Sequence, residues 1–207
     1  MSAYTIKTIW EDNDLKQNTH IYEYQDGIIV IDAGCSVASI RLNIDKPIKA
    51  VFITHAHYDH IKYIREYDEL NIPIYAHKSS TLMFKDSVNN ASIMFGMSKV
   101  YNIDNLHLLE DNDVVVIDDI KVQALYTPGH SIDGMCYMIG DSLFSGDTVF
   151  AEAVGRDDLP TGNTKQLIKS LARIMDLDYK ALYTGHGRSS AKQEQAINIP
   201  QWIKYLG

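Results

Sequence analysis

The sequence predicts an α/β fold, and three observations carry that prediction. Short β-branched, apolar runs alternate with stretches whose apolar residues recur at helical spacing. Two of those runs, residues 27–32 and 49–54, are apolar enough to be strands covered on both faces. Histidines and aspartates recur where such runs end beside small turn residues.

In chain order, residues 5–10 and 19–24 read as strands with partial alternation, separated by a polar turn at residues 11–14. Residues 27–32 form a buried strand that Ala33 and Gly34 stop, and residues 36–43 a short helix. The next buried strand, residues 49–54, gives way to helical spacing at Ile61, Ile64, Arg65, Tyr67, Asp68 and Leu70, then to a strand at residues 72–76. Between Ser79 and Met97 the pattern loosens. Its apolar residues (Leu82, Met83, Phe84, Ile93, Met94, Phe95, Met97) fit a helix laid on the sheet better than a cleft lining on pattern alone, though both uses suit flexible and aromatic side chains. Residues 113–118 and 121–126 make a hairpin around Asp118-Asp119, and residues 135–139 and 142–144 a second around Gly140-Asp141. Asn163 caps a helix through Met175 whose apolar side is Leu167, Ile168, Leu171, Ile174 and Met175. Residues 181–183 are the last short strand, and Ser189 caps a final helix that Pro200 interrupts.

With 207 residues and no stretch that reads as a linker, the expected organisation is one domain over residues 1–207. A 45% hydrophobic content supplies a substantial core, yet no run is long enough to span a membrane. Residues 1–7 lack the basic and apolar regions of a secretory signal, so the expected location is the cytoplasm. There, Cys35 and Cys136 are expected to be buried free thiols rather than a disulfide. A net charge of −8 opposes nucleic-acid binding, which leaves a small molecule as the expected partner; oligomeric state has no sequence signal.

The chemistry concentrates in His55-Ala56-His57-Tyr58-Asp59-His60, directly behind an apolar strand. Residues two apart in an extended segment share a face, so His55 and His57 can ligate one ion together. Asp59 and His60 fall where strand turns into helix, and that turn suits a second ion beside the first. Imidazole with carboxylate favours a borderline first-row metal over calcium or magnesium. Three further ligand-type residues end strands beside small residues: His130 in Thr127-Pro128-Gly129-His130-Ser131, Asp147 in Ser145-Gly146-Asp147-Thr148, and His186 between Gly185 and Gly187. His20, His77 and His107 match no ligand motif and are expected to be structural or solvated.

In order and spacing these stretches resemble the metallo-β-lactamase superfamily, over nearly the whole chain. The resemblance implies a four-layer αββα sandwich, two mixed sheets face to face with helices outside and two divalent ions at one edge. Zinc is expected first, with iron and manganese as alternatives. His55, His57 and His130 would hold one ion, Asp59, His60 and His186 the other, and Asp147 would bridge them. Asp147 stands where the best-known β-lactamase subclass carries a cysteine, which argues against antibiotic hydrolysis. Residues 144–150 and 154–160, with Gly185-His186-Gly187, Glu194 and Asn198-Ile199-Pro200, are most similar to short bacterial members of the glyoxalase II-like group, relatives of hydroxyacylglutathione hydrolases. Those hydrolases carry a helical C-terminal domain that contacts glutathione, for which residues 187–207 leave little room.

The implied activity is thioester hydrolysis. Two ions roughly 3.5–4 Å apart share a water and lower its pKa, giving a hydroxide that attacks an acyl carbonyl, with Asp59 orienting it while ligating. No serine has a nucleophile-elbow context, so no protein nucleophile competes. A lactonase or other ester hydrolase would use the same centre, and a mononuclear iron dioxygenase acting on a persulfide is the reading from a different reaction class. Arg156 lies near where the glyoxalase II-like enzymes place a cationic substrate contact. Arg188, beside the Gly-His-Gly turn, is placed either to reach an anionic substrate group or to make a surface salt bridge.

Overall fold

Parallel strands need long crossovers while antiparallel ones close with tight turns, and the spacing of apolar runs sorts this chain into both kinds. The computed structural model describes residues 4–11 and 16–207; of the acidic turn expected at residues 11–14, only Glu11 falls among them. The first sheet holds β1 (Thr5–Ile9), β2 (Thr19–Glu23), β3 (Ile28–Ile31), β4 (Ile48–Phe52), β5 (Ile74–His77) and β6 (Leu106–Leu109), neighbours in chain order. β1, β2 and β3 pair antiparallel. β3 to β6 pair parallel, joined by α1 (Val37–Asn43), then α2 (Tyr58–Ile61) with α3 (Ile64–Glu69), then α4 (Ser80–Phe84). The second sheet runs β12 (Ser190–Ala191), β11 (Ala181–Thr184), β10 (Ser142–Gly146), β9 (Met135–Ile139), β8 (Ile120–Tyr126), β7 (Val114–Ile117), antiparallel except β10 beside β11. Their crossover is α5 (Thr164–Asp176), and α6 (Lys192–Leu206) closes the chain.

Side-chain alternation divides the wholly apolar strands between three packed layers. Ile28 and Val30 of β3 join Val37 and Ile40 of α1, Ile64 and Tyr67 of α3, and Met83 and Phe84 of α4 in a cluster under the first sheet. Ile29 and Ile31 face the other way and meet Val122, Ala124, Met135, Tyr137 and Ile139 of the second sheet. On that sheet's far side, Leu125, Cys136, Leu143 and Leu182 pack on Leu167, Leu171 and Ile174 of α5 and Ile199 of α6. This is the expected αββα sandwich. Phe52 locks its middle layer, stacked on Tyr75 at 4.7 Å and edge-on to Tyr137 at 5.1 Å. Its truncation to Ala costs about 3–5 kcal/mol for a side chain so fully buried.

Four local expectations are corrected. β6 and β12, unread in the sequence, are edge strands of four and two residues. The last helix starts at Lys192, with Ala191 rather than Ser189 at its N-cap, where the Glu194 carboxylate accepts the Ala191 N–H at 2.9 Å. It continues through Pro200 uninterrupted, because Ile199 is buried and Ile203 and Leu206 pack against the same cluster, so packing holds both sides of the proline. The stretch from Ser79 to Met97 is not one helix: α4 ends at Phe84, and a 3-10 turn (Ser92–Phe95) sits between Ala91 at φ 60° and Gly96 at φ 69°. No described helix is long and apolar enough to cross a membrane.

Candidate metal centre

The carboxyl ends of β4, β8, β10 and β11 open on one edge of the sandwich, and each delivers a ligand-type side chain there. Past β4, Thr54 anchors the chain: its N–H donates to Asp32 Oδ1 at 2.7 Å and its hydroxyl to Asp32 Oδ2 at 2.8 Å. His55 and His57 follow; His57, in extended backbone, takes the N-cap position of α2, whose single turn presents Asp59 and His60. Gly185 lets β11 close against this cluster, since a Cβ there would lie 2.1 Å from Asp147 Oδ1 and 2.7 Å from the His60 ring.

All seven expected ligands come together. His57 Nδ1 and His130 Nε2 are 2.9 Å apart, and His55 completes their triple. His186 Nε2 lies 3.1 Å from Asp59 Oδ2 and 3.5 Å from Asp147 Oδ2. Asp147 sits between the two groups, with Oδ1 3.3 Å from His60 Nε2 and Oδ2 3.6 Å from His130 Nε2. Within each of three triples (His55, His57, His130; His55, His60, Asp147; Asp59, His60, His186) the donor atoms lie within 4.8 Å of one another. His55, His57, His60 and His130 are buried, yet His55 Nε2, His60 Nε2 and Asp147 Oδ1 make no hydrogen bond. Orphaned lone pairs converging in a buried polar cluster are costly unless a cation takes them, so the donor set fits metal ions.

The outward nitrogens are held by the protein. His60 Nδ1 meets Asp32 Oδ2 at 2.7 Å, and His130 Nδ1 meets the Arg156 carbonyl at 2.7 Å. Such partners aim the opposite nitrogen and make it a better donor. Burial with the charge of His60 holds His55 well below the usual imidazole range, and burial with His130 holds His57 down to about 3. Burial alone would lower His60 too, but Asp147, Asp32 and Asp59 hold it well above that range. Asp147 stays ionised despite its burial because His60 and His186 flank it. A dication held by these donors would supply the positive charge that the converging aspartates call for.

Asp32 was absent from the expected site. Its signal is close to the one that marks Asp147, an aspartate ending an apolar strand within two positions of a glycine, and it adopts φ 66°, a left-handed conformation that Asp tolerates. Arg156 and Arg188 lie outside the cluster, on the surface. Arg156 pairs with Asp158 at 2.7 Å, and Arg188 with Glu194 at 2.7 Å and with Glu152. His20 is buried, its Nε2 at 2.9 Å from the Thr184 carbonyl; His77 stacks on Tyr126 at 4.1 Å; His107 is exposed.

Comparison with known proteins agrees with this geometry. Residues 12–186 match the family model described as the metallo-beta-lactamase superfamily. A probable polyketide biosynthesis zinc-dependent hydrolase, PksB of Bacillus subtilis, is 28% identical over 164 residues, 76% of this chain and 66% of that protein, so the chain spans about two thirds of this relative. The structure of the B3 metallo-beta-lactamase BLEG-1 superposes with a TM-score of 0.85 at 25% identity, covering 95% of this chain and 99% of that one. TTHA1623, solved in a di-iron-bound form, superposes with a TM-score of 0.79 at 24% identity, covering 97% and 99%.

Proposed function

The chain belongs to the metallo-beta-lactamase superfamily, and from that premise we propose that it is a metal-dependent hydrolase of small acyl thioesters, of the glyoxalase II-like type. The observation that carries the reading is the convergence of five histidines and two aspartates with orphaned, buried donor atoms. His55, His57 and His130 would hold one ion, Asp59, His60 and His186 a second, and Asp147 both. Zinc is the first candidate, in keeping with the donor chemistry and the name of PksB; the di-iron form of TTHA1623 keeps iron as the alternative. When bound, such a pair polarises a carbonyl and acidifies a shared water toward neutrality.

The chain's own residues orient and exclude. Asp59, at 15% side-chain exposure and 3.1 Å from His186, would orient the attacking water while ligating. No thiol competes as nucleophile: Cys35 and Cys136 are free and buried, and burial pushes both up, Cys136 to about 11. Recognition rests on apolar contact. Ile93, Met94 and Phe95 are exposed on the 3-10 turn, which is seated beside the cluster through the Tyr58 N–H to Asn90 carbonyl bond (2.8 Å) and a Tyr58–Phe95 ring contact (5.6 Å). Arg156 and Arg188 would have to leave their carboxylate partners to bind an anionic substrate group, so they contribute less.

The test is a panel of acyl thioesters that vary the thiol, with lactones, a β-lactam and a persulfide beside them. The expected result is thioester cleavage with modest discrimination between glutathione and simpler thiols, and slower lactone cleavage, because thiolate leaves more readily than alkoxide. Strict dependence on glutathione, preference for the β-lactam, or oxygen uptake on the persulfide without thioester cleavage would each overturn the assignment.

A further inference from the structure

Asp133 is buried at 0% exposure, three positions after His130, and none of the described lysines or arginines pairs with it. A buried carboxylate without a cation is expensive, so something must hold it there. Its Oδ2 accepts two hydrogen bonds from elements far away in sequence: the backbone N–H of Ala56 at 3.0 Å and the Ser80 hydroxyl at 2.7 Å. Burial pushes its carboxyl above the usual range, and the bonds from Ser80 and Ala56 work against that rise.

The Ala56 N–H belongs to the peptide group that joins His55 to Ala56, the residue between the two histidines. Fixing it fixes the backbone on which both imidazoles hang, and so the face they share. The carboxylate comes from the loop of the second sheet that carries His130, the third member of that triple. The same loop bonds the first sheet again one strand position on, where the Met135 N–H donates to the Thr54 carbonyl at 2.8 Å. We infer that Asp133 is a positioning residue of the metal centre: its carboxylate ties the His55-Ala56-His57 backbone to the His130 loop and so sets the mutual geometry of three ligands contributed by two different sheets. The oxygen acceptor matters here, because the donors it meets are a neutral amide and a neutral hydroxyl. This rests on the metal-centre reading and not on the choice of substrate.

The experiment measures zinc affinity by chelator competition, and the melting of metal-free protein, for the parent, Asp133→Ala, Asp133→Ser and Asp133→Asn. Ala and Ser remove the reach to Ala56, whereas Asn keeps an oxygen in the same place. The expected result is a loss of about tenfold or more in zinc affinity for Ala and Ser, the size seen when groups behind a ligand are removed, with Asn within a few fold of the parent. Cobalt-loaded Asp133→Ala should show an altered ligand-field spectrum, which a merely structural role would not produce. Parent-like affinity in Asp133→Ala or Asp133→Ser overturns the inference. So does an Asn variant as impaired as Ser, or an affinity loss fully matched by lower melting of the metal-free protein. Should Ala fail to fold, Ser and Asn decide the matter by themselves. A parent that binds no metal overturns the metal-centre reading along with the inference, whereas a parent that binds metal but cleaves no thioester leaves this test intact.

Discussion

Among the described residues, Asp147 is the carboxylate that reaches both halves of the cluster, His130 on one side and His60 and His186 on the other. Replacing it with Ala should leave the sandwich folded, since the change removes a buried charge and no core contact. Turnover should fall by orders of magnitude and bound metal should drop, because among the described residues no other carboxylate lies within ion-pair distance of both His130 and His186. Metal analysis, circular dichroism and rates on the same preparation check this. An Asp147→Ala protein that keeps both its metal and most of its activity would show that the bridge lies elsewhere. Residue identity made this position legible: a metal site accepts few side-chain types, and they must stand at strand ends. Asp32 gave the same signal but sits behind a ligand. What it does depends on a 2.7 Å contact with His60, which sequence order does not encode.

Among elements, α1 is anchored at its start by an ionisable group from outside it. Glu11 accepts the Ser36 N–H at 2.9 Å and the Ser39 hydroxyl at 2.8 Å, at the start of α1, and also the Tyr63 hydroxyl just before α3. Burial pushes this carboxyl up, but the bonds from Tyr63, Ser36 and Ser39 outweigh it and hold the group at about 2. A folded value below the ordinary 4.5 means that the stabilisation is complete above pH 4.5 and is lost as pH falls toward 2. Glu11→Gln should therefore lower stability by roughly 1–2 kcal/mol at neutral pH. The gap from the parent should narrow below pH 4.5, as denaturant melts across that range would show. A constant gap would contradict the assignment. At this scale the long, periodic elements were legible and the short or context-held ones were not. α5 has Asn163 as its cap, its side chain accepting the Gln166 N–H, as its sequence indicates. β12 has only two residues in which to show a pattern, and Pro200 reads as a helix breaker until the buried Ile199 beside it is known. The 3-10 turn escaped because Ala91 holds a left-handed backbone that nothing in its residue type announces.

At the scale of the whole molecule, two sheets of opposite character meet so that parallel strand pairs in each, β3 with β4 and β10 with β11, open on one edge and share the site between them. Alternation of strand and helix was enough to predict the fold class. The pairing of the sheets, and hence the layering, came from the resemblance that the ligand motifs carry. Arg156 and Arg188 are the hardest residues to read from sequence, because a cation free to meet substrate looks the same there as one paired with a carboxylate, as Arg156 is with Asp158 and Arg188 with Glu152 and Glu194. The proposed two-ion thioesterase centre is tested most directly by the rate of thioester cleavage as zinc is added stepwise to metal-free protein. No cleavage is expected without metal, and the rate should climb until about two ions per chain are bound. A rate that saturates at a single ion, or cleavage that proceeds undiminished in metal-free protein, would contradict it.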